Sequence, residues 1–351
     1  VQQQKEAQQQ KEVQQQKEAQ QKEARQKEAR PKQKRKRKSK KKMEIEIEGI
    51  CPMLFDKMDT KGWQKFLERE GYVVIGNIIE DTEEIDKTLD LFKKDWSTVS
   101  PNFDFSNKET WGIENTPMVY GKGTAVYNGF GQSDFIWSLR LNTDIQQIFK
   151  EIHDTDELVV SQDGFSVFLS NKQKSKSWLH VDQNPTNPIY SIQGSYNILP
   201  VDTKDAGFLV VPGSHKSYIP KTKNKKDWFI VDQEEFLPKS KKLLIPKNCL
   251  TLWNSKTIHS NIGIDKTKKE IELNRVTAYI AYLPKSIRSD TTKHQKIQAY
   301  LKAKTTSHWA NQCHIKTYPW GFGPKYETRG YGCLKPKLID GKIPEDRLSL
   351  L

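Results

Sequence analysis

Helices are predicted at four places, and at two of them, 61–70 and the stretch after Asn142, apolar residues recur every three or four positions. The predicted helices cover 61–70, about 82–96, 290–303 and a stretch that begins after Asn142 or Thr143. The stretch after Asn142 shows the pattern most clearly, because four apolar residues fall at the i, i+3, i+4 and i+7 positions: Ile145, Ile148, Phe149 and Ile152. Residues 100–132 are rich in Gly, Asn and aromatic residues and predict a long irregular connection.

From about residue 157 the pattern changes to short apolar runs separated by turn residues, which is typical of strands. The predicted strands are 158–161, 165–170, 177–182, 190–199, 208–211, 243–245, 249–253 and 276–283, with a buried strand earlier at 72–75. Many short strands at regular spacing favour a sandwich or barrel, with a jelly roll among the options. We therefore predict a mainly β domain with flanking helices (α+β), whose strand-rich core covers about 157–285. Residues 286–351 should form a helical and irregular wrap.

The first 43 residues differ from the rest in composition. They repeat Gln, Lys, Glu and Ala at six- and then five-residue intervals, and they carry 12 Lys, 4 Arg and 5 Glu. A repeat of this length lines up no apolar stripe on a helix, so a low-complexity tail that is disordered or a frayed helix is expected. The segment from Lys32 to Lys42 has nine basic residues in eleven. It predicts a nuclear-import signal or a contact with nucleic acid or another polyanion, or else a solvated extension without a partner.

The remaining 308 residues carry a net charge of only +3, which gives no sign of a surface that coats nucleic acid. The four cysteines are scattered without a Cys-x-x-Cys pair, which fits a reducing, intracellular compartment. We expect the cytoplasm, or the nucleus if the basic segment is an import signal. No run of about 18 apolar residues is present, so no membrane span is predicted.

A His-x-Asp motif lies in one predicted strand, at His180 and Asp182. Side chains alternate along a strand, so these two point to the same face, while Leu179 and Val181 point to the other. An imidazole and a carboxylate side by side supply two of the three ligands of the 2-His-1-carboxylate triad that binds non-haem Fe(II). By itself the pair also fits a surface histidine beside an acid.

A third ligand has to come from elsewhere in the strand-rich region. Downstream of His180 that region contains His215 and His259. His215 follows a Pro-Gly turn, where a structural hydrogen bond is the usual role, whereas His259 follows the strand at 249–253 and can return to the mouth of the barrel. We choose His259. The other histidines are interpreted as ordinary surface or packing residues: His153, His294, His308 and His314.

Arg275 begins an alternating stretch in which Thr277 and Tyr279 share its face. A guanidinium inside a barrel needs an anion, and its planar fork suits a carboxylate. An arginine at a strand edge that reaches solvent is the alternative.

Taken together, 178–183, 207–216, 252–261 and Arg275 resemble the phytanoyl-CoA dioxygenase family. Members are Fe(II)- and 2-oxoglutarate-dependent oxygenases on a double-stranded β-helix, the cupin-like jelly roll, and the resemblance extends over roughly 60–285. By position, it implies that His180, Asp182 and His259 bind the iron and that Arg275 pairs with the distal carboxylate of 2-oxoglutarate. It further implies that Asn261 and Gln193 line the co-substrate site.

The resemblance also implies an activity for residues 44–351. O2 and 2-oxoglutarate would be consumed, succinate and CO2 released, and a C–H bond of a small-molecule or acyl substrate hydroxylated. Two alternatives stay open: a cupin-like metal-binding protein without oxygenase activity, and a polyanion or nucleic-acid binder that acts through the tail. The sequence specifies neither the substrate nor the oligomeric state.

Overall fold

The computed structural model describes residues 47–112, 114–117, 119, 122–169, 178–220, 226–317 and 330–351. The tail predicted over 1–43 lies outside these ranges. The α-helices of the described residues are α1 (Thr60–Glu70), α2 (Thr82–Val99), α3 (Asp134–Leu141), α4 (Thr143–His153), α5 (Ser214–Ser217), α6 (Gln233–Phe236), α7 (Asp290–Leu301) and α8 (Glu345–Ser349).

Fifteen strands alternate with these helices in the part of the chain that the structure describes. They are β1 (Gly49–Ile50), β2 (Leu54–Phe55), β3 (Tyr72–Ile75), β4 (Thr124–Ala125), β5 (Leu158–Val160), β6 (Phe165–Phe168), β7 (His180–Val181), β8 (Ile192–Asn197), β9 (Gly207–Val210), β10 (Phe229–Ile230), β11 (Lys241–Leu243), β12 (Cys249–Asn254), β13 (His259–Ile262), β14 (Arg275–Ile280) and β15 (Tyr282–Pro284).

The strands form two large sheets and one small one. The six-stranded sheet has the order β1-β11-β9-β13-β7-β10, the seven-stranded sheet has the order β2-β3-β12-β8-β14-β6-β4, and β15 pairs with β5. In each large sheet one outer pair is parallel, β1 with β11 and β2 with β3, and the other pairs are antiparallel. Mixed sheets with flanking helices are therefore present, as predicted.

The two large sheets pack against each other through a shared apolar cluster. The seven-stranded sheet contributes Tyr72, Val74 and Trp253, and the six-stranded sheet contributes Phe208 and Val210. The rings of Phe208 and Trp253 lie 5.0 Å apart between centroids. Burying these side chains removes apolar surface from water on the facing sides of both sheets, which stabilises their association.

Local signals explain where the first helix begins and ends. The Asp59 carboxylate accepts a hydrogen bond from the backbone N–H of Gly62, which caps the N-terminus of α1. Gly71 ends the helix in the left-handed region, at φ 77°. A Cβ at this position would also lie 2.3 Å from Nδ1 of His215, so conformation and space both require glycine.

The sequence located most elements but misplaced several boundaries. The strand predicted over 276–283 is split at Ala281 into β14 and β15, which belong to different sheets. The strand predicted over 243–245 begins two residues earlier, at Lys241. Helix α3 and strand β13 were not predicted, and neither were the short elements β2, β10, α5 and α6. Strand β4 lies within 100–132, which was predicted to be irregular. Among the described residues, no helix is both long and apolar enough to cross a membrane.

Candidate metal centre

His180, Asp182 and His259 come together between the two large sheets. Nε2 of His180 lies 3.5 Å from Oδ1 of Asp182, and Nε2 of His259 lies 3.2 Å from Oδ2. One potential ligand atom of each residue falls within 4.8 Å of the others, and all three side chains are buried. Among the described residues this is the group of histidine and acidic side chains with the spacing of a metal site.

Strand geometry explains why these side chains meet. His180 and His259 are directly opposite each other on the paired strands β7 and β13, with ring centroids 4.5 Å apart. Leu179 and Val181 point the other way, into an apolar cluster that includes Leu209. The alternation predicted for His180 and Asp182 is therefore observed.

Backbone carbonyls fix the orientation of both imidazoles. Nδ1 of His180 lies 3.1 Å from the carbonyl oxygen of Trp178, and Nδ1 of His259 lies 2.9 Å from that of Thr257. A carbonyl oxygen can only accept, so each Nδ1 must carry the proton. In the neutral rings Nε2 then has a free lone pair, and both lone pairs are directed towards the Asp182 carboxylate.

This arrangement favours a positive charge in its centre. Burial lowers the pKa of His180, although the Asp182 carboxylate opposes that shift. Burial would raise the pKa of Asp182, but the imidazoles of His308, His180 and His259 around it hold that pKa well below its usual range. A buried carboxylate that faces two neutral Nε2 atoms is electrostatically unfavourable unless a cation lies between them. Two imidazoles and one carboxylate are the donor set that suits Fe(II).

Asp182 is held in place from behind by Gln193 on β8. Gln193 Nε2 donates to Oδ2 of Asp182 at 2.8 Å and to the Ser255 hydroxyl at 3.2 Å. The backbone N–H of Asp182 also donates to the Ser255 carbonyl at 3.0 Å. Such contacts fix the direction of a metal-binding carboxylate.

Arg275 lies at the start of β14 and faces the same space between the sheets. Its Nε donates to the Thr277 hydroxyl at 3.1 Å, and Nη1 donates to the Gly207 carbonyl at 2.9 Å and to Oδ1 of Asn261 at 2.8 Å. Asn261 in turn donates to the Tyr279 hydroxyl at 2.7 Å. Asn261 is two residues from His259 on β13, so this network adjoins the histidine and acidic side chains.

The Arg275 guanidinium is buried, and no carboxylate of the described residues forms an ion pair with it. Nη2 also donates no hydrogen bond to a described residue. Burial of the guanidinium lowers the pKa of Arg275. The Nη2 edge of the guanidinium is thus available to an anion.

A second cation, Lys122, lies over the ring of Trp178, the residue that stacks on His180. The ring of Trp178 stacks on that of His180, with centroids 4.1 Å apart and planes inclined by 9°. Nζ of Lys122 lies 3.5 Å from the Trp178 ring centroid and 5.8 Å from that of Trp228. Burial lowers the pKa of Lys122, and its backbone carbonyl accepts from Asn261 at 3.3 Å. Lys122 therefore contacts both Asn261 of the Arg275 network and the Trp178 ring that stacks on His180.

The other histidines divide into expected and unexpected cases. Nε2 of His215 donates to the Glu68 carbonyl at 2.9 Å, which is the structural role predicted for it. His308 is different, because its imidazole interacts electrostatically with both Asp182 and His259. Sequence reasoning missed His308 and Lys122. Both lie in irregular segments without periodicity, so no local pattern could have identified them.

Comparisons with known proteins give two relatives by sequence. The chain is 24% identical over 283 residues to "Ava biosynthesis cluster protein O" of Aspergillus versicolor, covering 71% of this chain and 87% of that protein. It is 22% identical over 282 residues to a Dictyostelium discoideum protein named "Putative phytanoyl-CoA dioxygenase", covering 67% of this chain and 78% of that protein. No protein-family model matches the chain.

Among solved structures, the chain is similar to the epimerase SnoN, crystallised with Fe3+, alpha-ketoglutarate and nogalamycin RO. The TM-score is 0.45 and the identity 16%, over 65% of this chain and 85% of that one.

Proposed function

We propose that the chain is an Fe(II)- and 2-oxoglutarate-dependent oxygenase of the phytanoyl-CoA dioxygenase family, and that its two large sheets form a double-stranded β-helix. One observation carries the proposal. Two imidazoles, each held as the Nδ1–H tautomer, direct their Nε2 lone pairs at one buried carboxylate, as reported above for His180, His259 and Asp182. The sequence similarity to a protein named as a phytanoyl-CoA dioxygenase supports the family assignment.

The two unpaired cations fit the charge of the co-substrate. 2-Oxoglutarate carries two carboxylates, and Arg275 and Lys122 are two buried or half-buried cations without an acidic partner among the described residues. In the proposal Arg275 binds the distal carboxylate, while Asn261 holds the guanidinium in position through the bond to Nη1. Lys122 supplies positive charge on the His180 side of the site.

Bound iron would supply the oxidative chemistry, coupling decarboxylation of 2-oxoglutarate to hydroxylation of a substrate C–H bond. The protein holds the two imidazoles and the carboxylate in a fixed geometry, with Gln193 orienting Asp182. The stacked Trp178 ring covers one face of His180 and keeps water from it. One substrate C–H, O2 and 2-oxoglutarate are converted to one alcohol, succinate and CO2.

Anaerobic titration with Fe(II) and 2-oxoglutarate tests this function. The metal–oxoacid complex should give a visible charge-transfer absorption band in the wild-type protein. His180→Ala should lose the band, whereas His294→Ala should keep it, because His294 is an exposed residue on α7. Absence of the band in the wild type, or its persistence in His180→Ala, would contradict the proposal. A protein that binds Fe(II) but has no affinity for 2-oxoglutarate would be a cupin-like metal binder instead.

The prediction of a nuclear-import or polyanion contact through Lys32 to Lys42 stays a prediction, as does the intracellular location.

A further inference from the structure

The outermost strand of the six-stranded sheet, β10, presents two exposed apolar side chains on the side of the metal centre. Ile230 lies directly opposite His180 in the antiparallel pair of β10 and β7, and Phe229 lies opposite Val181. Because residues opposite each other on paired strands point to the same face, Ile230 shares the face of His180. Trp228 precedes Ile230 by two residues and shares that face, with its ring centroid 5.8 Å from that of His180.

The two faces of β10 differ in burial. Phe229 packs against the apolar cluster that contains Val181 and Leu209. On the metal side, by contrast, Trp228 is 45% exposed and Ile230 is 53% exposed. A single exposed apolar residue is ordinary on a protein surface, but two of them together on the face of a metal ligand indicate a surface that binds another molecule.

Hydrogen bonds hold the backbone on both sides of this exposed pair. Before the pair, the Asp227 carboxylate accepts from the backbone N–H of Asn184, in the loop after Asp182, at 3.1 Å. After the pair, the backbone N–H of Val231 donates to the Leu179 carbonyl at 3.0 Å. The two exposed side chains are therefore tied to the same backbone that carries two of the metal ligands.

A cation already lies against the indole rings on this side of the metal centre. Nζ of Lys122 is 3.5 Å from the ring centroid of Trp178 and 5.8 Å from that of Trp228. Neighbouring tryptophans can bind a ligand cation, but here a lysine of the chain itself makes that interaction. Its charge would repel a second cation, so the molecule that contacts Trp228 carries no positive charge there.

The shape of this surface favours a flat ring over a protein partner. An indole presents a flat apolar face, and other aromatic rings stack on it or meet it edge-on. Pairing with the edge strand of a second copy is disfavoured, because β10 is only two residues long. A small molecule can reach both the indole and the metal centre without any such pairing.

Resting on the proposed function, we infer that Trp228 and Ile230 bind the substrate, and that the substrate is a small molecule with a flat aromatic ring that carries no positive charge. The ring stacks on the Trp228 indole, and Ile230 extends the apolar surface towards His180. The C–H bond to be hydroxylated lies on this ring or on a group attached to it. Both side chains position the substrate, and neither binds the metal.

The test uses two probes with the same carbon skeleton in the full-length protein, loaded with Mn(II) and 2-oxoglutarate. 2-Naphthol is flat and aromatic, whereas decahydro-2-naphthol is saturated and not flat. Mn(II) is paramagnetic and accelerates the proton relaxation of a probe that binds beside it, so a titration of this effect measures the Kd at the metal centre. The same titration with diamagnetic Zn(II) gives the background.

In the wild type, 2-naphthol should bind about three- to tenfold more tightly than decahydro-2-naphthol, the size expected of one aromatic pair. Trp228→Leu keeps an apolar side chain without the flat ring and should lose this preference, whereas Trp228→Phe should retain part of it. Ile230→Ser should weaken both probes alike, because it removes apolar contact and leaves the indole. The cation 2-naphthylmethylammonium should bind more weakly than 2-naphthol, since Lys122 repels it.

The matched control is Ile339→Ser, at an isoleucine that is 54% exposed in the bridge with Lys342, and it should match the wild type for both probes. The Kd values for Mn(II) and 2-oxoglutarate should be the same in all variants, because no substituted residue binds either of them.

Equal Kd values for the two naphthol probes in the wild type, or an unchanged preference in Trp228→Leu, would overturn the inference. Tighter binding of the cation than of 2-naphthol would overturn the assigned charge. A wild-type protein that binds Mn(II) and 2-oxoglutarate but relaxes neither probe would show that the exposed pair does not serve the metal centre. A dimer in light scattering that Ile230→Ser converts to a monomer would assign the surface to a second copy instead. Failure to bind Mn(II) or 2-oxoglutarate at all would refute the proposed function itself, and the inference would fall with it.

Discussion

Replacing Arg275 by glutamine should abolish most of the affinity for 2-oxoglutarate and leave metal binding unchanged. The guanidinium uses Nε and Nη1 for Thr277, Gly207 and Asn261, but Nη2 has no acceptor among the described residues. A carboxylate that binds this side chain would meet a buried, preorganised cation without having to displace an acid. Glutamine retains polarity but removes both the charge and the planar fork.

The size of the effect follows from the bonds that are lost. A hydrogen bond to a charged group contributes about 1.5–3 kcal/mol, and Nη2 is the part of the guanidinium that is left to bind a carboxylate. At about 1.4 kcal/mol per tenfold change, the Kd for 2-oxoglutarate should rise about 10- to 100-fold. Arg275→Lys should raise the Kd less than Arg275→Gln does, because lysine retains the charge without the planar fork.

Anaerobic calorimetry with Fe(II)-loaded protein measures that Kd. The matched control is Arg140→Gln. Arg140 lies on α3 and is also fully buried, but its guanidinium donates to the backbone carbonyls of Gly131 and Asp163 and to none of the residues around the metal centre. The control should lose stability and keep its affinity for 2-oxoglutarate. An unchanged Kd in Arg275→Gln, or an equal loss in Arg140→Gln, would refute the assignment of Arg275.

Three further predictions concern the metal and the fold. Gln193→Leu removes the bond to Asp182 and should weaken Co(II) binding about 10- to 100-fold in a spectroscopic titration; an unchanged Kd would contradict that role. Adding Fe(II) anaerobically at about 100 times its Kd should raise the free energy of unfolding by about 2.7 kcal/mol. The denaturation midpoint should shift accordingly, and a midpoint that does not change with Fe(II) would contradict this prediction. Burial raises the pKa of Asp95 to about 6, so the folded state binds more protons than the unfolded state between that pKa and the ordinary one, and this contribution to stability is lost as pH rises. The free energy of unfolding of Asp95→Asn, measured by denaturation, should therefore rise by about 2 kcal/mol relative to that of the wild type between pH 4 and pH 7. The variant Asp90→Asn, at an exposed position on the same helix, should show no such change.

Strand alternation allowed much of the site to be predicted from the sequence. His180 and Asp182 share a face because they are two residues apart, and the apolar Leu179 and Val181 confirm which face is which. His259 was preferred to His215 because of the turn before His215, and the structure gives His215 a carbonyl partner instead.

The unpredicted features depend on contacts between distant parts of the chain. Helix α3 was missed because nearly all of it is buried, so it shows no polar face to reveal its period. The split between β14 and β15 arises because the chain changes its pairing partner from β6 and β8 to β5, which no local pattern records. His308 acts electrostatically on Asp182 from 126 residues further along the chain, and no local pattern records an interaction at such a separation.

The dependence of 2-oxoglutarate binding on Fe(II) tests the central claim most directly. Calorimetric titration of 2-oxoglutarate into anaerobic protein should show one molecule bound per chain when Fe(II) is present, and greatly weakened binding when the metal has been removed with a chelator. That dependence would mean that the buried carboxylate and the two imidazoles hold an ion which the oxoacid itself contacts. Binding of equal strength with and without Fe(II), or no binding to the iron-loaded protein, would contradict the account.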